Sequence, residues 1–403
     1  MAKRGGYAQD FKNRFGIYAR QNTDANGKRR IWIQAVSVGE LRAIEPLVKR
    51  LHDSGNYWIA LTTTTSTAYA ILQNEFPETT DFRGYFPLDF LPCSHRAWNL
   101  IQPDVAVLTE SELWPEHMHQ AHRRGIPLLL INARLSNRSY RRYQKFRPLT
   151  AFFRRYLSKV SAATATDAER FRALGLSPER VVTSGNLKLD KDVQPRLTAP
   201  ELHTLKREMG FTEDSRIILG SSTWPGEEAM LCRIFKRLKD EFPQLKLLIV
   251  PRHAERKRAL ADALKAFGMT HHFRSDGRQA STNNEIYVAD TTGELPMLTQ
   301  PADAAFIGKS MPPHTEAQSM IEPAILGIPA WIGPGYANFQ TIVEGLIEQG
   351  LITEVADEEA LEAALRQFFG SGLNGDPFQR KAETWYQANR GALEKTLQLI
   401  ESA

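Results

Sequence analysis

The sequence has few cysteines and no long apolar run, and these absences exclude several classes of protein. Its two cysteines, Cys93 and Cys232, lie far apart in a chain of 403 residues, which argues against a disulfide framework or a cysteine-rich zinc site. Such sparse cysteine usage is typical of a protein in a reducing cytosol. No stretch reaches the roughly 18–20 apolar residues that a membrane-spanning helix needs. The basic start of the chain also lacks the apolar core of a signal peptide.

Two phosphate-binding motifs are missing as well. The sequence contains neither the GxGxxG fingerprint of dinucleotide-binding proteins nor the P-loop pattern that ends in GK[ST]. Both motifs wrap phosphates with glycine-rich backbone at the start of a helix. A nicotinamide-dependent dehydrogenase or a P-loop kinase is therefore disfavoured.

The net positive charge of the chain is small, but positively charged residues are concentrated in one stretch. Hydrophobic residues make up 42% of the chain and charged residues 24%, the net charge is +5 and the pI is near 9.1, which is an ordinary globular composition. From Arg134 to Lys159, however, arginine and lysine alternate with Tyr, Phe and Leu. This stretch is either a solvated basic face, a contact with anionic lipid or a nucleic-acid surface, and the interleaved aromatic residues favour lipid.

Short apolar runs alternate with amphipathic helical patterns along the whole chain, which predicts α/β folding with parallel sheets. The alternation stops at a polar, proline-marked stretch near Leu189 to Glu201 and then restarts. We therefore expect a first Rossmann-like domain over residues 1–190 that binds an acceptor, and a linker over 191–201. A second Rossmann-like domain, over 202–403, would bind a nucleotide sugar and include the C-terminal helices.

Polar residues gather where the predicted strands end, which is where parallel sheets bind ligands. Glu40 follows the first strand at the start of a helix. It is either an ordinary helix-start acid beside the positive end of the helix dipole or a general base. In the second half, hydroxyls and backbone N–H groups at a helix start make a possible anion site, with Arg252 as a phosphate clamp. The simpler alternatives there are a helix cap and a surface cation.

Eight motifs in combination resemble one enzyme family. They are AVSVGE, TESELWP, NARLS, GNLKLD, SSTWPGEE, PRHAER, DTTGEL and the spaced series FIGKS, IEPA, GIPAWIGP and NF. The chain resembles, from about Phe11 to its C-terminus, the 3-deoxy-D-manno-octulosonic acid (Kdo) transferases of lipopolysaccharide assembly. The resemblance implies an inverting glycosyltransferase of the GT-B fold, with two Rossmann-like domains facing a central cleft.

The resemblance also implies roles for individual residues. Glu40 matches the family's general base, and Glu110 and Lys188 match positions ascribed to transition-state stabilisation. Ser222 and Thr223 match a helix-start segment at the cleft. The positions that match contacts to CMP are Pro251, Arg252, Thr292, Gly293, Glu294, Ser319, Met320, Ile321 and Glu322.

The expected reaction moves Kdo from CMP-Kdo to an anionic lipid A precursor, lipid IVA, without a metal or other cofactor. The expected location is the cytoplasmic face of the bacterial inner membrane, reached peripherally or through an N-terminal anchor missing from this chain, and no nucleic-acid partner is expected. Two departures from the family pattern stand out: EAQSMIE replaces the common GGHNPLE, and the apolar start of many members is missing. The alternatives are a transferase that uses a UDP- or GDP-sugar and a non-catalytic, basic membrane-binding protein.

Overall fold

A computed structural model describes residues 10–19, 21, 23–145, 151, 155–190, 196–372 and 376–403. The chain divides into two compact units. The first unit comprises Met1–Asp192 together with Ala388–Ala403, and the second comprises Val193–Gln387. Part of the basic stretch from Arg134 to Lys159, namely residues 146–150 and 152–154, lies outside the described residues.

The first unit is built on a parallel sheet of seven strands in the order β3-β2-β1-β4-β5-β6-β7. Its central strands are buried along their length, as expected for a sheet covered by helices on both faces. The strands are β1 (Arg29–Ala35), β2 (Tyr57–Thr63), β3 (Phe82–Tyr85), β4 (Val105–Thr109), β5 (Leu128–Ala133), β6 (Lys159–Ala162) and β7 (Val181–Thr183). The helices are α1 (Val38–Asp53), α2 (Ser66–Glu75), α3 (Leu91–Ile101), α4 (Pro115–Arg123), α5 (Asn137–Lys145) and α6 (Ala165–Ala173), with 3₁₀ turns at Phe11–Phe15, Pro178–Arg180 and Leu187–Leu189.

The second unit repeats this plan with seven parallel strands in the order β10-β11-β9-β8-β12-β13-β14. The strands are β8 (Arg216–Thr223), β9 (Leu245–Pro251), β10 (His271–Phe273), β11 (Ile286–Val288), β12 (Ala304–Ile307), β13 (Ala330–Ile332) and β14 (Ile352–Glu354). The helices are α7 (Ala199–Glu208), α8 (Glu227–Lys239), α9 (Lys257–Lys265), α10 (Leu295–Thr299), α11 (Ile321–Leu326), α12 (Gln340–Glu348), α13 (Glu358–Gly370) and α14 (Asp376–Asn389). The prediction of two Rossmann-like parallel sheets is confirmed.

The last helix, α15 (Ala392–Glu401), packs on the first unit and not on the second. The Asp190 carboxylate accepts hydrogen bonds from the backbone N–H groups of Gly391, at 2.7 Å, and Leu393. Leu399 and Ile400 join the apolar core beneath the first sheet. The predicted second domain, 202–403, is therefore too long at its C-terminal end, because the apolar face of α15 completes the core of the other unit.

The predicted linker over residues 191–201 is only partly described. Helix α7 begins at Ala199, inside the predicted linker, and residues 191–195 of that linker lie outside the described residues.

Across the part of the chain that the structure describes, no helix combines the length and apolar character needed to cross a bilayer.

Candidate active site

The strand order of the first unit creates a switch point between β1 and β4, because the chain moves to one side after β1 and to the other side at β4. Glu40 lies in the first turn of α1, directly after β1, and Glu110 follows the last residue of β4. Lys188 lies in the 3₁₀ turn after β7. All three predicted catalytic residues are therefore at the carboxyl edge of the first sheet.

Glu40 is held by short hydrogen bonds although it is only 7% exposed. Its Oε2 accepts hydrogen bonds from the Thr109 hydroxyl at 2.5 Å and from the Val36 backbone N–H at 2.9 Å, and its Oε1 accepts one from the Ser37 hydroxyl at 3.1 Å. Burial raises the pKa of Glu40, and the Thr109 hydrogen bond opposes this rise. The result is a fixed carboxylate that binds a proton more readily than an exposed glutamate, which suits a general base.

Glu110 and Lys188 form an ion pair with 2.8 Å between Oε1 and Nζ, and their side chains are 20% and 13% exposed. Glu110 has a left-handed backbone with φ of 53°, which turns the chain sharply at the end of β4. The turn carrying Lys188 is fixed by Asn132 at the end of β5, whose Oδ1 accepts the Leu187 backbone N–H at 3.1 Å. Residues far apart in sequence thus place a paired cation and carboxylate at the edge where Glu40 lies.

Glu112 is a third acid at this edge. Its backbone N–H donates to the Thr109 carbonyl at 3.2 Å, which closes the turn after β4. Burial, followed by the negative charges of Glu40 and Glu110, raises the pKa of Glu112 to about 7. The turn after β4 therefore brings Glu110 and Glu112 close enough to Glu40 for the three negative charges to interact.

Replacing Glu112 with glutamine is expected to stabilise the first unit at about pH 8 and to leave its stability nearly unchanged at about pH 4, below the ordinary glutamate pKa. A folded-state pKa above the ordinary glutamate value means that the wild-type protein loses stability as the pH rises towards 7, and the loss is complete above 7. The expected difference is about 1–2 kcal/mol after allowance for partial exposure, or a few degrees in Tm. Thermal unfolding of Glu112→Gln at both pH values measures it. Glu169→Gln, an exposed acid on α6, is the control, and equal Tm differences at both pH values would contradict the assignment.

In the second unit, Ser222 and Thr223 end β8 but serve different purposes. Thr223 is fully buried, and its hydroxyl donates to the Glu228 carboxylate at 3.1 Å. Ser222 has a left-handed φ of 54°, and its carbonyl oxygen lies 2.3 Å from where a side chain at Gly308 would begin. A glycine is therefore required at position 308. Of the pair Ser222 and Thr223, only Ser222 has a side chain that is partly exposed.

Glu227, the first residue of α8, is an anion that is bound by the protein's own backbone. Its buried carboxylate accepts backbone N–H groups of Trp224 at 2.9 Å, Lys309 at 2.8 Å and Ser310 at 3.0 Å. Burial raises the pKa of Glu227, and these N–H donors oppose the rise. At the start of α8, the Trp224 backbone N–H is therefore already bonded to Glu227. Because Glu227 is the first residue of α8 and Gly226 its N-cap, no capping-box pattern identifies this interaction in the sequence.

Arg252 follows β9, and its backbone N–H donates to the Thr223 carbonyl at 3.0 Å. Its side chain is exposed and has no hydrogen-bond or ion-pair partner among the described residues. Pro251, by contrast, is buried at the end of β9, in register with Thr223. Arg252 is thus a cation held in place by its backbone and available to an anionic ligand.

Glu294 is bound by the protein itself. The almost fully buried Arg274 donates two hydrogen bonds of 2.8 Å to its two carboxylate oxygens. This pairing lowers the pKa of Glu294 to about 2. Its side chain therefore anchors the loop after β11, while the neighbouring Thr292 and Gly293 are exposed.

The segment at Ser319 to Glu322 lies between β12 and β13. Met320 and Ile321 are buried, so their side chains face the core. The Ser319 hydroxyl donates to Glu322 Oε2 at 2.8 Å, and both residues are partly exposed. The predicted nucleotide contacts thus lie on connections at the carboxyl ends of β8, β9, β11 and β12, with Ser222, Arg252, Thr292, Gly293, Ser319 and Glu322 accessible.

Comparison with known proteins supports one family. Residues 9–191 match the family model of 3-deoxy-D-manno-octulosonic-acid transferase (kdotransferase). The chain is 32% identical over 399 residues to the 3-deoxy-D-manno-octulosonic acid transferase of Haemophilus influenzae, covering 98% of this chain and 91% of that protein. It is 30% identical over 385 residues to the enzyme of the same name from Bordetella pertussis, covering 92% and 86%.

A solved structure agrees with the fold. The UDP-GlcNAc 2-epimerase of Neisseria meningitidis superposes with a TM-score of 0.57 at 13% identity, covering 93% of this chain and all of that one. A likeness at this identity concerns the fold alone. Taken with the two near full-length relatives, the chain belongs to the 3-deoxy-D-manno-octulosonic acid transferase family and is a glycosyltransferase.

Proposed function

We propose that the protein transfers Kdo from CMP-Kdo to a hydroxyl of a lipid A precursor, lipid IVA, with inversion at the transferred carbon. The observation that carries this proposal is the buried Glu40 at the switch point of the first sheet, with its raised pKa and its fixed orientation. The first unit would bind the acceptor and the second unit the nucleotide sugar.

In this reaction Glu40 removes the proton from the acceptor hydroxyl as its oxygen attacks the anomeric carbon of Kdo. The bond between that carbon and the phosphate oxygen of CMP breaks, and CMP leaves as an anion. The Glu110–Lys188 pair stabilises charge that develops at the reacting sugar. The scheme needs no metal or cofactor, since a base and fixed charges suffice.

The leaving nucleotide would be held in the second unit. The Arg252 guanidinium is unpaired within the described residues and suits a phosphate oxygen. Ser222, Thr292, Gly293, Ser319 and Glu322 would complete the contacts, whereas Thr223, Pro251, Glu294, Met320 and Ile321 would act through their backbone or by shaping the loops. A nucleotide panel tests this assignment by calorimetry: CMP should bind at least tenfold more tightly than UDP or GDP, and a preference for UDP or GDP would contradict it.

Replacing Arg252 with glutamine is expected to weaken CMP binding by about tenfold or more, because a charged hydrogen bond to phosphate contributes roughly 1.5–3 kcal/mol. The Tm should not change, since the exposed side chain makes no hydrogen bond or ion pair with a described residue. Calorimetric titration of CMP measures the effect. Arg258→Gln, an exposed cation on α9, is the matched control, and equal affinities in the two variants would remove Arg252 from the site.

The proposed location is the cytoplasmic face of the bacterial inner membrane, where such a lipid acceptor would be reached. The exposed basic residues of α5 support an anionic surface as the partner.

A further inference from the structure

Most of the exposed large apolar side chains on the described chain lie in one place. Eight such side chains are exposed among the described residues, and six of them lie within residues 11–17, around the first 3₁₀ turn, or within residues 88–91, where α3 begins. We call these six the apolar patch: Phe11, Phe15, Ile17, Leu88, Phe90 and Leu91, which are between 37% and 63% exposed. A clustered set of this kind marks an interaction surface, whereas scattered exposed leucines do not.

Backbone contacts join the two segments of the apolar patch. The Leu88 backbone N–H donates to the Arg14 carbonyl at 2.8 Å, and Phe11 and Phe15 stack edge to face with ring centres 5.6 Å apart. Gly16 packs so closely on α3 that an added side chain would begin 2.3 Å from the Cys93 carbonyl oxygen. The patch is therefore one preformed surface.

The charges around the patch are unequal. Its two neighbouring acids are engaged in hydrogen bonds: the exposed Asp10 accepts the Tyr69 hydroxyl at 2.6 Å through Oδ2, and Asp89 Oδ1 accepts the Glu116 backbone N–H at 2.9 Å. Lys12 and Arg96 are exposed, and neither has an ion-pair partner among the described residues. An apolar centre with cations at its rim suits an anionic bilayer, where each cation near the surface contributes about 1 kcal/mol.

A second cationic surface lies on α5, which has no buried residue. Its tyrosines, Tyr140 and Tyr143, pack on the core of the first unit. Four exposed cations share the remaining face at positions i, i+3, i+4 and i+7, and none has an ion-pair partner among the described residues: Arg138, Arg141, Arg142 and Lys145. We call this the cationic face of α5.

The sheet places both surfaces on the edge that carries Glu40. In the apolar patch, the residues from Leu88 to Leu91 follow the carboxyl end of β3. Glu40 follows β1, Glu110 follows β4 and α5 follows β5, again at the carboxyl ends of parallel strands. From β3 to β5 there are four strand spacings of about 4.8 Å, or roughly 19 Å. The base therefore lies between an apolar surface and a cationic one on a single edge.

We propose that this edge of the first unit docks on an anionic lipid bilayer, with the apolar patch inserted among the acyl chains and the cationic face of α5 on lipid phosphates. The inference rests on the proposed lipid acceptor and deepens it. An acceptor whose acyl chains stay in the membrane presents its sugar hydroxyl at the headgroup level, which is where docking of this edge brings Glu40.

Flotation of the full-length protein with vesicles of phosphatidylethanolamine and phosphatidylglycerol tests the proposal. The triple variant Phe15→Ser, Phe90→Ser, Leu91→Ser should bind at least about tenfold more weakly at high salt, where apolar insertion dominates. The quadruple variant Arg138→Gln, Arg141→Gln, Arg142→Gln, Lys145→Gln should lose binding mainly at low salt. Val182→Ser removes an apolar side chain that is exposed outside the patch and should bind like the wild type.

The proposal would be overturned if the wild-type protein did not bind the vesicles, or if the triple variant bound them as tightly as the wild type. So would concentration-dependent dimers of the wild type that disappear in the triple variant, because the patch would then bind a second copy. Transfer to a water-soluble, deacylated acceptor is measured alongside. Transfer without vesicle binding would support the proposed function and contradict the docking surface. Vesicle binding without transfer would support the docking surface and contradict the proposed function.

Discussion

Replacing Glu40 with glutamine is expected to reduce Kdo transfer by about 10²- to 10⁴-fold, the usual contribution of a positioned general base. Glutamine keeps the size of the side chain and one acceptor oxygen for the Thr109 hydroxyl. CMP affinity should remain that of the wild type, because the proposed nucleotide site lies in the second unit. Initial rates with CMP-Kdo and calorimetry with CMP measure the two quantities.

Glu45→Gln is the matched control for Glu40→Gln. Glu45 is an acid on the same helix, but its side chain is 48% exposed and pairs with Arg42 on the surface. We expect this variant to retain wild-type rates. A Glu40→Gln protein that is folded and turns over at more than about a tenth of the wild-type rate would contradict the base assignment.

Replacing Lys188 with methionine is expected to lower kcat by about 10²- to 10³-fold, the range for one electrostatic contact with the transition state. The variant also leaves the half-buried Glu110 carboxylate unpaired. Single-turnover rates separate this chemical effect from substrate binding. Lys49→Met, which removes an exposed cation on α1, should leave kcat unchanged.

A double-mutant cycle with Glu110→Gln tests whether the two residues act as one unit. If they do, the double variant should be no slower than Lys188→Met alone, since the second change removes a partner that is already without its ion pair. Independent, multiplicative losses would show that Glu110 and Lys188 contribute separately.

The sequence predicted the two parallel sheets and the placement of Glu40 at a strand end, because these depend on local patterns. Alternating apolar runs and helical stretches identify a strand followed by a helix, and the carboxyl ends of parallel strands share an edge. The family resemblance implied a role for Glu110 and for Lys188, but nothing in the sequence predicted that the two form an ion pair. The physical origin of this pair is long-range, since Asn132 on β5 fixes the turn that carries Lys188.

Other features had no local signal that distinguishes them. The strands β10 and β14 have three residues each and lie at the ends of their sheet, so their patterns are too short to recognise. The carboxylate of Glu294 looked like a ligand contact, but Arg274, twenty positions earlier, neutralises it. Helix α15 was assigned to the wrong unit for the same reason: its partner, Asp190, is two hundred residues away.

Mass spectrometry of the lipid product tests the central claim most directly. Full-length protein is incubated with CMP-Kdo and a lipid A precursor, and the lipid is weighed. We expect its mass to increase by whole Kdo units with the wild type and, over the same short incubation, to stay nearly unchanged with Glu40→Gln. Unmodified lipid in the wild-type reaction, or modification only when a UDP- or GDP-sugar replaces CMP-Kdo, would contradict the account.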